Sequence, residues 1–467
     1  MPPTIASIIF ALGILGLFYL DRDEDSRMSK ALWIPAVWLF LISSRGVSLW
    51  LGMAPLFASP EVYVEGSPID RAVFTSLLVA ALAVVISRME RVGSLLRKNG
   101  PILLFFAFCA GSILWSDFPF VAFKRWTKSV GDLVMVLIIL TEPDPMGALK
   151  RLVTRLGFLL FPLSVLFIKY YPSLGRRLTN SWTMETTGVT MQKNSLGVIC
   201  MLFGVGFLWY FGAVYRDRGK PDRRRRLLAY GTIIATIVWL LLTCHSLTST
   251  TGLAMAGGVM WLAGRPSRKT TVVHLLVLAV LGISVTALFF NPGGDLVEAF
   301  GRDRTFSGRT LIWSLALSQH TNPWVGTGFE SFWLGNRLQG LRDALPNFPI
   351  TSAHNGYLEV YLNLGWAGVT LLALLLLTGY RRVIAAFRED PERGSLLLGL
   401  FLAALFESFT EAGFRMMSPA WIFLLLASIA ASQVAALEAV AQPENEPAEC
   451  SQWIGAESVE RKLEWTR

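Results

Sequence analysis

A short window around His354 contains the residues best suited to chemistry. His354 and Asn355 precede Gly365 and Gly368, with nine residues between Asn355 and Gly365, where a long polar loop gives way to an apolar segment. The chain has only four histidines, and this side chain exchanges protons near neutral pH. The window therefore predicts a catalytic His354 that transfers a proton or orients a substrate at a water–lipid boundary.

Other polar side chains follow His354 along the same predicted helix. Tyr357 and Tyr361 share a helical face with His354, and Glu359 and Asn363, four residues apart, form a second polar face. An ionisable group such as Glu359 is costly at membrane depth and is usually functional there. We therefore assign Asn355 and Glu359 to substrate binding and Tyr357 to support. The alternative is that His354 only caps the start of the helix.

An arginine and a tryptophan lie upstream in the same loop. Arg309 and Trp313 are four residues apart and share a helical face. A guanidinium donates paired hydrogen bonds to phosphate, and a tryptophan ring offers a surface on which a sugar stacks. A turn-rich segment at 322–332 follows and contributes Glu330 as a supporting residue. The alternative is an interfacial aromatic belt with arginines that reach toward water.

Three further sets of charged residues stand near predicted span ends. Glu407, Glu411 and Arg415 are spaced by four, which suits either an ion-paired rung or a support for the arginines of a site. Arg45 lies in an otherwise apolar segment and needs a partner or a substrate. Lys193 stands at the start of a span, where reaching toward water would also explain it. Together these groups predict a pocket for an anionic, lipid-linked substrate.

The motifs of several other chemistries are missing from the sequence. No cysteine or histidine spacing typical of a metal site occurs on the predicted outer side, and no phosphate-binding Walker loop is present. We therefore expect no metal, no cofactor and no nucleotide hydrolysis.

Composition identifies the elements that must position these residues. The chain has 467 residues, of which 53% are hydrophobic and 16% charged, and its mean hydropathy is +0.50. Soluble domains carry roughly 25% charged residues. Apolar stretches of membrane-spanning length recur throughout, so we predict an all-α polytopic membrane protein with about 12–13 transmembrane helices. The predicted spans are 3–20, 31–53, 72–88, 101–117, 129–141, 155–171, 194–214, 228–245, 251–264, 270–290, 357–379, 394–410 and 417–437.

The net charge of +9 follows from topology rather than from nucleic-acid binding. Lysines and arginines concentrate in short loops between spans, as cytoplasmic loops do, and the run Arg223–Arg226 is the strongest anchor. This orientation places one large loop, 291–353, on the outer side.

The predicted divisions of the chain are N-terminal helices at 1–193, a core at 194–437 and a disordered cytoplasmic tail at 438–467.

These residues together resemble the superfamily of O-antigen ligases and O-antigen polymerases. The resemblance rests on the His354 window and on the segments 307–313, 322–328 and 192–197. The segments 33–45 and 66–70 are similar to the exopolysaccharide-polymerase branch. Gln192 departs from the pattern, because the family often has histidine there.

The resemblance implies a metal-independent, inverting glycosyltransferase of GT-C-like, lipid-donor architecture. The donor would be an oligosaccharide on undecaprenyl diphosphate, and the acceptor another glycan. His354 would act at the acceptor hydroxyl, while Arg309, Arg45 and Lys193 would hold the diphosphate leaving group. The enzyme would lie in the bacterial inner membrane with its site facing the periplasm, in contact with membrane lipid, and a chain-length regulator is a possible partner.

Three functions remain open at this point. A polymerase of exopolysaccharide or O-antigen repeat units is favoured by the N-terminal resemblance. A ligase that transfers finished glycan to lipid A–core uses the same chemistry with another acceptor. A lipid-linked sugar transporter would need inverted repeats and polar groups through the bilayer midplane, and the polar groups here concentrate on one side.

Overall fold

A computed structural model describes residues 1–22, 29–53, 67–178, 183–219, 221–264, 270–289, 307–345 and 350–441. Within these ranges the chain is almost entirely helical. The helices are α1 (Pro3–Leu20), α2 (Trp33–Ser43), α3 (Val47–Trp50), α4 (Pro68–Ser87), α5 (Met89–Lys98), α6 (Gly100–Gly111), α7 (Pro119–Leu140), α8 (Pro145–Tyr170), α9 (Pro172–Gly175), α10 (Lys193–Arg216), α11 (Arg223–Cys244), α12 (Leu247–Ala263), α13 (Thr270–Phe289), α14 (Ser307–Leu317), α15 (Gly335–Ala344), α16 (Gly356–Glu389), α17 (Pro391–Thr410) and α18 (Pro419–Ala441).

Two short strands complete the described structure. Strands β1 (Arg176–Leu178) and β2 (Met184–Thr186) pair antiparallel, with Arg177 opposite Glu185. They lie between α9 and α10, at the same end of the bundle as the start of α10.

The fold is that of an all-α polytopic membrane protein. In the described part of the chain, seven helices are long and apolar enough to cross a membrane, and eight if the bent pair 89–98 and 100–115 counts as one span. Three shorter apolar helices, such as Lys30–Ser43, add to these. The all-α polytopic architecture predicted from the sequence is confirmed. Outward-facing leucines such as Leu12 and Leu15 suit contact with lipid chains.

The central helices pack around α10 and α17. Helix α10 contacts α11, α12 and α17, and α16, α17 and α18 contact one another. The end of α2, the start of α10, the start of α16, the end of α17 and the start of α18 meet at one end of this bundle, where they line a common cavity. The run Arg223–Arg226 starts α11 at the other end, about 36 Å away by the length of α10.

Helix α16 contains a break that two sequence motifs form together. Gly365 has φ +62°, which favours glycine, and a Cβ there would lie 2.3 Å from the backbone of Trp324. The backbone N–H of Ala367 donates to the carbonyl of Trp324 at 3.0 Å, and the N–H of Gly328 donates to the carbonyl of Asn363 at 2.8 Å. The turn at 323–328 therefore satisfies backbone groups that the break releases.

The predicted outer loop contains ordered structure of its own. Its described residues include α14 and α15, and these pack around a small core that also takes in Phe332, Trp333, Ile350 and Ala353. The segments 290–306 and 346–349 lie outside the described residues, as does the predicted tail beyond 441.

Several predicted spans have other boundaries in the structure. The predicted span 31–53 is broken at 44–46, so Arg45 lies between α2 and α3 rather than inside a helix. The predicted span 129–141 is the second half of α7, which begins at Pro119, because proline suits the first turn of a helix. The predicted span 357–379 continues to Glu389.

Candidate active site

A cavity of about 420 Å³ lies at the end of the bundle where the sequence placed its candidate residues. His354, Glu407, Glu411 and Arg415 all line it. Further polar lining comes from Ser43, Ser44, Thr190, Gln192, Ser195, Thr351 and Ser352. The cavity is therefore polar on one side and reaches the ends of five helices.

Glu411 connects the candidate residues of four chain segments. It is the first residue after α17, and its Oε1 accepts from Asn194 Nδ2 at 2.6 Å and from Arg309 Nη2 at 3.1 Å. Its Oε2 lies 2.8 Å from His354 Nδ1. One carboxylate therefore holds the predicted catalytic histidine and the predicted phosphate-binding arginine on either side of itself.

The charge of Glu411 determines which nitrogen of His354 can act as a base. Burial raises the pKa of Glu411, but the hydrogen bond from His354 and the charges of His354 and Arg309 outweigh it, so that its pKa is lowered. An ionised carboxylate only accepts hydrogen bonds, so His354 Nδ1 is the donor. The lone pair of the neutral ring is then on Nε2.

The backbone before His354 is fixed from both sides. The N–H of Ala353 donates to Glu359 Oε1 at 2.5 Å, and its carbonyl accepts from Trp313 Nε1 at 2.7 Å. Trp333 Nε1 also donates to Glu359, at 2.8 Å to Oε2. His354 itself has φ +48°, an uncommon conformation for a residue with a side chain. Trp313 and Glu359 thus position the histidine, and neither lines the cavity.

Asn355 and Tyr357 also contact the protein rather than the cavity. The Asn355 side chain accepts from the N–H groups of Tyr357 and Leu358, both at 3.0 Å, and so caps α16. The Tyr357 ring packs between Phe409 and Phe414, with centroids 4.9 Å and 5.0 Å away. The substrate-binding role predicted for Asn355 remains a hypothesis beside this capping role.

Replacing Glu359 by alanine should lower both stability and activity. The change leaves the buried N–H groups of Ala353 and Trp333 without their acceptor, which should cost about 3–5 kcal/mol. The matched control is Glu389→Ala, an exposed glutamate on the same helix, which should change stability by less than about 0.5 kcal/mol. Thermal unfolding of the two purified variants measures their stability, and initial transfer rates measure their activity. Equal effects of the two substitutions would contradict the positioning role of Glu359.

A second ion pair flanks the cavity. Arg415 Nη2 donates to Glu330 Oε2 at 3.0 Å, and the carbonyl of Glu330 accepts from Arg125. Glu330 has φ +52° and is buried. This arrangement holds the Arg415 guanidinium at the cavity wall. No pattern in the sequence indicated that Arg415 pairs with Glu330.

Glu407 has an unusual environment for a carboxyl group. It is 2% exposed, and neither of its carboxyl oxygens has a hydrogen-bond partner in the described protein. It lines the cavity one helical turn before Glu411. A buried polar group without a partner is costly, so a ligand group in the cavity is the natural partner for Glu407.

Arg45 and Lys193 lie outside the lining of this cavity. Arg45 Nε donates to the carbonyl of Val189 at 3.0 Å, and its Nη2 donates to the carbonyls of Leu174, Gly188 and Thr190. Lys193 Nζ pairs with Glu185 Oε1 at 2.7 Å. Both cations thus bind protein groups, and Arg45 clamps the turn that carries Thr190 into the cavity wall.

The substitution Arg45→Gln separates a clamping role from a diphosphate-binding role. We expect the variant to unfold several degrees below the wild type without any substrate present, because backbone carbonyls at 174 and 188–190 lose their donor. Thermal unfolding of the purified protein measures this. Unchanged stability with weakened substrate binding would instead assign Arg45 to the diphosphate.

The contacts of three positioning residues were not predicted from the sequence. Asn194 donates to Glu411, and Trp333 donates to Glu359. Asp132 is fully buried, where it accepts from Trp38 Nε1 at 2.9 Å and from the N–H of Met417 at 2.7 Å. It thereby fixes the turn at 416–418 that lines the cavity. An aspartate in an apolar helix was a usable signal for it.

The described residues include no group of three or more His, Cys, Asp or Glu side chains arranged to hold a metal ion. The ionisable side chains that line the cavity or pair with its lining are those of His354, Glu407, Glu411, Arg415, Arg309 and Glu330.

Comparisons with known proteins point to one family. Residues 186–373 match the family described as O-Antigen ligase. The chain is also 26% identical over 330 residues to the exopolysaccharide production protein ExoQ of Rhizobium meliloti, which covers 66% of this chain and 71% of the relative. The matched family segment contains both Arg309 and His354.

Proposed function

We propose that this chain, which is similar to the O-antigen ligase family and to an exopolysaccharide production protein, is a glycosyltransferase that polymerises exopolysaccharide or O-antigen repeat units. The donor is an oligosaccharide on undecaprenyl diphosphate and the acceptor is a second glycan. The observation that carries the proposal is the single carboxylate of Glu411, which binds His354 and Arg309 beside one cavity.

The proposed reaction is a direct displacement with inversion. The acceptor hydroxyl attacks the anomeric carbon of the donor, while His354 Nε2 takes the hydroxyl proton. The bond between the anomeric carbon and the diphosphate oxygen breaks, and its electron pair leaves with the diphosphate. No nucleotide is needed, because the diphosphate ester is already an activated leaving group, and in this proposal arginine side chains rather than a metal ion meet the charge of the departing diphosphate.

Cations near the leaving group stabilise the charge that develops on it. Arg309 and Arg415 are the best-placed candidates, since Arg309 shares Glu411 with His354 and Arg415 lines the cavity. Arg45 and Lys193 stay weaker candidates, because neither lines the cavity nor pairs with a carboxylate that lines it. The sequence-level role of Arg415, ordering other arginines, thus becomes a binding role in this proposal.

The positive-inside distribution supports the location of the site. The cavity lies at the end of the bundle opposite Arg223–Arg226. If that run faces the cytoplasm, the cavity opens toward the periplasm of a bacterial inner membrane. An oligosaccharide linked through diphosphate to a polyprenyl chain would then reach the cavity from the outer leaflet.

We assign Glu407 to binding of the acceptor hydroxyl groups, and a single substitution tests this role. Glu407→Leu removes a buried carboxyl that lacks a protein partner, so we expect equal or higher thermal stability. Transfer should nevertheless slow by about 10–100-fold through the lost hydrogen bond to substrate. A destabilised variant with normal transfer would contradict the assignment.

A deletion strain distinguishes a polymerase from a ligase. For a polymerase, loss of the gene should abolish long polymer and accumulate single lipid-linked repeat units, as seen on gels. For a ligase, long lipid-linked polymer should accumulate without reaching lipid A–core. Unchanged glycan in the deletion strain would overturn the proposed function.

A further inference from the structure

A second cavity, of about 490 Å³, lies at the opposite end of the bundle. Helices α8, α10, α11 and α17 form it. Its charged lining residues are Lys150, Arg216, Arg223, Arg226, Asp217 and Glu392. Four cations line the cavity against two carboxylates, and the carboxylate of Asp21 interacts with Lys150 and Arg226 from nearby. The balance still leaves an excess of one positive charge, so the cavity favours an anion.

The cavity extends well inside the bundle. Tyr210 lines it six residues before the end of α10, which corresponds to a depth of about 9 Å. The Tyr210 side chain is only 3% exposed, and its hydroxyl has no hydrogen-bond partner in the described protein. A buried hydroxyl without a hydrogen-bond partner is costly. A ligand atom that accepts from the Tyr210 hydroxyl would remove this cost.

The arginines of this cavity are held in place by neighbouring protein groups. Arg223 Nη2 donates to the carbonyl of Tyr215 at 3.0 Å, and its guanidinium lies over the Tyr215 ring at 5.4 Å. Its Nε is buried and has no hydrogen-bond partner among the described residues. Arg216 pairs with Glu392 at 2.8 Å at the rim, where both side chains are about half exposed. Arg223 and Tyr210 thus both bring a donor without a partner among the described residues to the same cavity.

The surroundings of the cavity suit a lipid better than a free ion. Ala213 and Val214 contribute apolar lining, and the neighbouring side chains Tyr215 and Leu228 are 57% and 62% exposed on the outside of the bundle. Basic pockets between transmembrane helices bind the phosphate of anionic lipids, whose chains then lie along such apolar surfaces.

We propose that this cavity is a binding site for the phosphate group of an anionic glycerophospholipid. The phosphate contacts the Arg223 guanidinium and the Lys150 ammonium, and a headgroup or phosphate oxygen accepts from the Tyr210 hydroxyl. Along α10 the two cavities are about 16 Å apart, between Ile199 and Tyr210, and the second site does not depend on the function proposed above.

Native mass spectrometry of the purified full-length protein tests the site with phosphatidylglycerol as the probe. The double variant Lys150→Gln/Arg223→Gln should retain phosphatidylglycerol about tenfold less tightly than the wild type. The control Arg218→Gln/Arg224→Gln removes the same charge from exposed residues that do not line the cavity, and it should bind like the wild type. An equal loss in both variants would show non-specific charge attraction and overturn the proposal.

The variant Tyr210→Phe tests the site without the risk that misfolding causes a loss of lipid binding. It removes only a hydroxyl that lacks a protein partner, so the lipid-free protein should be at least as stable as the wild type, yet phosphatidylglycerol should raise its melting temperature less. A full phosphatidylglycerol effect in Tyr210→Phe would contradict the assigned contact.

Inorganic phosphate serves as the second probe. Protection by millimolar phosphate equal to that by phosphatidylglycerol would assign the site to a soluble phosphate instead.

Discussion

The variant His354→Asn should reduce glycan transfer by about 10²–10⁴-fold, because it removes the proposed base. Asparagine tolerates the left-handed backbone of this position better than alanine, and φ is +48° here. The loop should therefore stay in place while the proton acceptor is lost. Polymer length on gels and the amount of accumulated lipid-linked repeat unit, in a strain deleted for the gene, measure the effect.

His320 offers a matched control for this substitution. It is an exposed histidine of the same outer loop and does not line the cavity. His320→Asn should leave polymer length unchanged. If His354→Asn also supports normal polymer at normal protein levels, His354 has no catalytic role.

The variant Glu411→Gln should reduce transfer by at least about 100-fold. An amide carries no charge to hold Arg309, and its NH₂ group can donate to His354 Nδ1, which would place the ring proton on Nε2. The histidine would then face the acceptor hydroxyl with a donor instead of a base. Initial transfer rates of the purified variant measure the loss.

An ion pair outside the cavity provides the control for Glu411. Asp117 accepts from Arg337 at 2.8 Å, and its side chain is 56% exposed. Asp117→Asn removes the same kind of charge, yet exposed pairs contribute little, so transfer should change by less than about twofold. Similar losses in Asp117→Asn and Glu411→Gln would contradict a special role for Glu411.

The lowered pKa of Glu411 predicts how the site responds to acid. A carboxyl whose pKa is lowered on folding adds stability that is complete above its ordinary pKa of 4.5 and is lost as the pH falls through the lowered value. The stability difference between wild type and Glu411→Gln should therefore be constant from neutral pH down to about 5 and shrink only below 4.5. Melting temperatures across this range measure it, and a difference that disappears already near pH 6 would contradict the pairing.

Several residues of the candidate site could be proposed from the sequence because they are unusual for their positions. His354 and Arg309 stood out as polar groups beside apolar segments, and Glu411 stood out by its helical spacing from Glu407 and Arg415. The start of α16 was also predictable, because Asn355 is a residue type that caps helices. Membrane helices follow from apolar length alone, so the all-α architecture was predictable as well.

Other features depend on contacts that have no local pattern. Glu411 lies 57 residues from His354 and 102 from Arg309, so no spacing rule connects them. The ligands of Arg45 are backbone carbonyls, which every residue has, and its clamping contacts were therefore invisible in the sequence. The break at Gly365 depends on a turn some 40 residues earlier, and only the packing of the two segments explains both sets of glycines.

The central claim is that this cavity transfers a glycan from a diphosphate-linked lipid with His354 as the base. The most direct measurement is the release of undecaprenyl diphosphate by the purified protein, given a synthetic undecaprenyl-diphosphate oligosaccharide and excess EDTA. We expect release by the wild type in step with formation of a longer glycan, and at least about 100-fold slower release by His354→Asn. Equal rates for the two proteins, or release only when a metal ion is added back, would contradict the account.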